Sequence, residues 1–171
     1  LPTSHFTYLC SFSTIYKLMY PILNTLHSYN RYLLLAAIVF VLFRSVSGWL
    51  GQKSYGKADN AAGAAMLGLT HLQLLLGLLL YVVSPRTQAA FADMGAAMKD
   101  SILRYFAVEH MAAMLIAVVL IQMGRTLSKK AVGDNNKHRK VATYTGIALL
   151  IILISLAPKG LLFGTAATIA G

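Results

Sequence analysis

Acidic residues are scarce in this chain. Five Asp and Glu stand against fifteen Lys and Arg, and charged residues of both signs make up only 12% of the sequence. A soluble domain carries about 25% charged residues. Cysteine is nearly missing too: Cys10 alone cannot close a disulfide within the chain or build a thiolate cluster. With four prolines and one tryptophan, long segments run uninterrupted. There is no HExxH metal helix, no nucleophile elbow and no phosphate loop, so hydrolytic chemistry of those types is excluded.

What fills the space is apolar. Hydrophobic residues make up 57% of the chain and the mean hydropathy is +0.65, which places it in a lipid bilayer. The net charge of +10 suggests no nucleic-acid partner, because the Lys and Arg collect at the ends of apolar runs, where they set orientation. The pattern predicts an all-α fold, a four-helix transmembrane bundle running up-down-up-down. Its helices cover roughly 22–50, 61–83, 101–125 and 141–157, within one membrane domain over 19–158.

Residues 1–18 are too polar and too short to span and lack the layout of a signal peptide, so they read as a peripheral arm, with Met19 a plausible true start. Residues 159–171 read as an interfacial tail. Ser84-Pro85 stops the second helix, and the loop over 86–100 has the composition of a short interfacial helix. Asp59 or Asn60 is suited to capping the second helix, and Asp100 or Ser101 the third. Lys53, Lys57, Arg125, Lys129, Lys130, Lys137, Arg139 and Lys140 fall at one end of the bundle. By the positive-inside rule that end is cytoplasmic and both termini are outside.

Polar residues inside apolar runs mark the candidate site, because each costs a few kcal/mol in lipid unless it faces the interior and has a partner. The run RYFAVEHMAAMLIAVVLIQMGR holds Glu109 and His110, and THLQLLLGLLLYVV holds His71. Counted from the basic end, His71 lies about 18 Å and His110 about 22 Å deep, so they agree to roughly one turn. Two imidazoles at one depth can hold a haem iron, with Gly68, Ala107, Ala113 and Ala117 shaping a slot. Arg31 and Arg104 then meet propionates or a quinone head group, and Glu109 takes an ion pair or a proton. His27 and Arg31 share a helix face near the outer side, His27 as a further ligand candidate or as an interfacial histidine. His138, in KHRK, sits at the inner surface among groups that touch anionic lipid. Plainer readings stand beside these: histidines hydrogen-bonding between helices, and Gly/Ala stripes as close packing.

The segments LHSYNRYLLL, THLQLLLGLLLYVVSP, RYFAVEHMAAMLIAVVLIQMGR and KHRK resemble a family of small four-helix inner-membrane proteins of Bacteroidota, labelled cytochrome b-like. The resemblance covers roughly 19–158, and the recurring positions fall on His27, Arg31, His71, Glu109, His110 and His138. It implies a b-type haem protein carrying electrons in a respiratory chain, between quinone and a partner protein, with His71 and His110 as iron ligands. Two other expectations belong to different classes. One is a cofactor-free accessory subunit of a larger membrane complex. The other is a proton or ion pathway through Arg31, Glu109 and His110, for which four helices would need a homo-oligomer.

Overall fold

The computed structural model describes the backbone of residues 3–157 and the side chains of 18–157. The tail expected over 159–171 and the side chains of the first seventeen residues lie outside the described residues. Every regular element among them is helical. In chain order these are α1 (Thr3–Leu50), α2 (Lys57–Val83), α3 (Pro85–Ala92), α4 (Met94–Lys99), α5 (Ser101–Arg104), a π-helical turn (Tyr105–Glu109), α6 (His110–Lys130) and α7 (Asp134–Leu156).

Four segments are long and apolar enough to cross a membrane: Leu18–Leu50, Lys57–Val83, Ser101–Lys130 and Asp134–Leu156. The shortest has 23 residues. At 1.5 Å per residue that is about 34 Å, more than the ~30 Å hydrocarbon core. Three of the spans outrun the expected boundaries because charged end residues such as Asp59, Lys129 and Asp134 stay helical. Their heads can sit at a membrane–water interface while their backbone bonds continue. The backbone of α1 is likewise helical well into the expected peripheral arm, from Thr3.

Turn chemistry sets the breaks. After α1, Gln52 takes a left-handed φ of 53° and the Lys53 amide bonds back to Gly48 O at 3.0 Å. Asp59 closes the start of α2: its Oδ2 accepts the Gly56 amide at 3.0 Å, and its Oδ1 takes Arg44 at 2.9 Å. Pro85 opens α3, where the absent N–H is no loss. The loop expected to hold one interfacial helix holds two. Asp93 caps α4 through the Ala96 amide at 2.9 Å, and Asp100 caps α5 through Ile102 and Leu103 at 2.8 and 2.9 Å.

The spans pack α1 on α2 and α7, and α6 on α7, while α2 and α6 are the loosest neighbours of the four. The core is apolar and dry, centred on Ile38, Met66, Ile121 and Ala148, all essentially inaccessible. It separates two polar clusters. One lies at the basic end, around Arg125 and His138. The other lies toward α3 and α4, which cap the opposite end.

Candidate functional site

At the basic end, Arg125 is buried and ties α6 to α2. It donates to Asn60 O at 2.9 Å and to Asn60 Oδ1 at 3.1 Å. Gly63 leaves room for its side chain, since a Cβ there would stand 3.3 Å from Nη1. His138 is 2% exposed rather than spread on lipid as expected. Its ring sits where a Gly48 side chain would be and meets the Tyr55 ring edge-on at 4.8 Å. The KHRK run hid this, because its three cations suggested contact with anionic lipid while the helical phase turns only the histidine inward.

The capped end holds a cavity of about 160 Å³. Its wall is mostly aliphatic, from Leu34, Leu74, Leu78, Met111, Met114 and Ile152, and its polar groups include His27, Arg31, Gln73, Tyr81, Arg86 and His110. No Asp or Glu lines it.

His27 of α1 is held from α2. Gln73 Nε2 lies 3.1 Å from His27 Nε2 and donates to His27 O at 3.1 Å, while Gln73 Oε1 accepts Asn30 Nδ2 at 2.7 Å. Asn30 Nδ2 also donates to Leu69 O at 3.1 Å. Gly77 is the cradle for the ring: a Cβ there would come 3.3 Å from His27 Cε1. His27 Nδ1 is buried with no hydrogen-bond partner.

His110 opens α6 directly after the π turn. The Tyr105 hydroxyl lies 3.3 Å from His110 Nδ1 and donates to Ser155 O at 3.0 Å. With its proton on Ser155 O, that hydroxyl accepts from Nδ1–H, which leaves His110 Nε2 as the ring's unprotonated nitrogen. A π turn carries one extra residue per turn and often marks a functional site. Here it also brings residues five apart together, Arg104 and Glu109.

The expected residues therefore divide. His27, Arg31 and His110 line one cavity. His71 does not: it is on the exposed face of α2, one residue from buried Thr70 and two from Gln73. A single residue turns a helix by about 100°, so equal depth did not mean equal direction. His110 thus shares its cavity with His27 and not with His71. Arg104 and Glu109 form an ion pair at 2.7 Å, 41% and 47% exposed, with Arg104 Nη1 also on Met98 O at 2.9 Å. Neither lines the cavity, so the acid expected inside the bundle lies on its surface. Sequence reading missed Gln73 and Arg86. Gln73 lies between Thr70 and Gly77, the last a notch expected from sequence to allow close packing or a flat ligand. Gln73 and Gly77 stand at i+3 and i+7 from Thr70, the spacing of one helix face.

Among the described residues no group of three or more His, Cys, Asp or Glu is placed to hold a bare metal ion. For a haem iron, His110 offers an unprotonated Nε2 from α6. His27 Nδ1 is an orphaned buried nitrogen of α1, but while Gln73 donates to Nε2 it carries the ring proton, so it would hold iron only once Gln73 releases Nε2. Gly77 clears the ring. The volume suits one six-membered ring as it stands, being below the roughly 300–1,000 Å³ of sites for drug-sized ligands. A macrocycle is larger than this cavity and would be admitted only if α2 and α6, the loosest pair, moved apart. No family model, curated protein or solved structure matches the chain.

Proposed function

We propose that this chain is a b-type haem protein of a bacterial inner membrane, in which His27 and His110 would hold the iron. Its bundle runs up-down-up-down with both termini outside, and the cavity lies in the outer half. The observation that carries the reading is the convergence of two imidazoles, each fixed through one side of its ring, on one membrane-embedded cavity. Orientation rests on the basic end, which the positive-inside rule assigns to the cytoplasm. Haem, when bound, supplies one-electron chemistry to exchange between a quinone and a partner protein. The chain's own residues do the rest. Gln73 and Tyr105 orient the rings, the aliphatic wall excludes water, and Arg31 balances negative charge.

The dry layer of Ile38, Met66 and Ile121 favours such a one-sided site over a pathway for protons or ions through the bundle. A second reading is favoured by the cavity's size: a quinone ring in the same place, with His27 Nδ1–H donating to a ring oxygen and His110 Nε2 accepting from the hydroxyl of the reduced form.

A reduced-minus-oxidised spectrum of protein purified after expression with haem tests the first reading. Low-spin b-type bands are expected, lost in His27→Ala and in His110→Ala and retained in His71→Ala. Loss in His71→Ala with retention in His27→Ala would overturn the axial pair. A colourless, folded protein that takes up a quinone would replace haem with the second reading.

A further inference from the structure

Two guanidinium groups reach this cavity, and its lining gives them no carboxylate. Arg31 is 8% exposed and lies over the Tyr32 ring at 4.9 Å. Arg86 comes from α3 on the capping side, with its guanidinium 5.1 Å from the Phe106 ring centroid. Arg86 Nη1 is buried with no hydrogen-bond partner. The acids of this chain work elsewhere: Asp59 and Asp134 at the basic end, Asp93 and Asp100 as helix caps, Glu109 on Arg104. A guanidinium nitrogen buried among apolar side chains is costly until an acceptor reaches it, and a carboxylate or phosphate matches its fork.

We propose that Arg86 makes the capped end of the cavity an anion subsite. It selects an amphiphile with an acidic group at one end and an apolar body along Leu74, Leu78 and Met114. If the amphiphile is haem, this rests on the reading above, and the acidic groups are its propionates. The other source of the same chemistry is an acyl carboxylate from the membrane. Arg104, expected to serve here, is held on the surface by Glu109 and Met98.

Esterification separates Arg86 from the imidazoles. Haemin and haemin dimethyl ester share iron and ring but differ in charge at the propionates. Soret titrations of the full chain in detergent should show the ester binding roughly 10- to 100-fold more weakly than the acid, the scale of a charged hydrogen bond. Arg86→Leu should close most of that gap, and Arg86→Lys should keep it. Loss of low-spin bands in His27→Ala with the gap intact leaves the anion subsite standing while the axial pair is tested alone. If no haemin binds, oleate should raise the melting temperature of the wild type more than oleyl alcohol does, and Arg86→Leu should remove the difference. Equal binding of acid and ester overturns the proposal. So does an equal effect of oleate and oleyl alcohol where haemin is not bound. The melting curve of Arg86→Lys reports that the fold survives substitution there.

Discussion

Alanine at Gly48 is the sharpest test of how α1 meets α7. A Cβ at this position would fall 2.5 Å from His138 Nε2 and 2.6 Å from Nδ1, and closer still to Cε1. Non-bonded heavy atoms prefer about 3.5–4.0 Å, so either the imidazole or the helix must move by about 1 Å. The ring has little room: it is 2% exposed, with the Tyr55 ring at 4.8 Å on its edge and Ser54 O 3.5 Å from Nε2. Overpacking a filled site costs about 1–3 kcal/mol. On the scale of soluble chains of this length that is a fall of roughly 2–12 °C in Tm. Thermal unfolding in detergent, followed by circular dichroism, reads it. The double variant Gly48→Ala, His138→Ala gives the decisive comparison. Removing the ring makes room for the methyl, so the Gly48→Ala penalty measured in the His138→Ala background should shrink by at least about 1 kcal/mol. If Gly48→Ala costs the same with and without the imidazole, or nothing in either background, the contact described between α1 and α7 is not formed.

Other consequences are smaller or of opposite sign. His71→Leu exchanges an exposed imidazole on a membrane helix for an apolar side chain, so melting temperature in lipid nanodiscs should hold or rise. Glu109→Gln breaks a surface pair worth roughly 0.2–1 kcal/mol, which calls for a small, salt-sensitive change in unfolding midpoint. A loss several times larger would place Glu109 inside the bundle. Arg125→Met removes the donors to Asn60, and a cost of about 2–3 kcal/mol in detergent unfolding is expected from buried charged hydrogen bonds. Tyr105→Phe deletes the bond to Ser155 O and the contact with His110 Nδ1, costing about 1 kcal/mol. With haem bound, it should also broaden the low-spin signal in electron paramagnetic resonance.

The four spans were legible because hydropathy and length are properties of composition along the chain, independent of how helices face one another. The caps were legible for a similar reason. Asp100 acts on amides two and three residues away, a local event that the sequence displays. Direction was the harder quantity. His71 and Gln73 lie in the same leucine-rich run, and only the helix around them decides that one faces out and the other in. A polar residue within such a run directs attention to itself, while the stripe Thr70, Gln73, Gly77 is visible only when spacing is read before residue type. Glu109 forms the expected ion pair with Arg104, but its interruption of an apolar run points to the bundle interior, whereas the pair lies at the surface. The π turn between them is a tertiary accommodation with no signature in residue type. Arg86 was hidden by its position after Pro85, where a loop cation reads as an interfacial anchor.

The dry core has an electrical meaning. Ile38, Met66 and Ile121 form a layer of low dielectric between the cavity and the basic end, and Leu34, Val41 and Ala148 thicken it. The buried hydroxyls of Thr70 and Thr145 are sparse within it, so a charge crossing the layer finds few hydrogen-bonding groups to step onto. If the cavity holds a redox centre as proposed, electrons and protons would enter and leave most readily through the capped side. Turnover there moves little charge through the transmembrane field, so its rate should respond only weakly to membrane voltage.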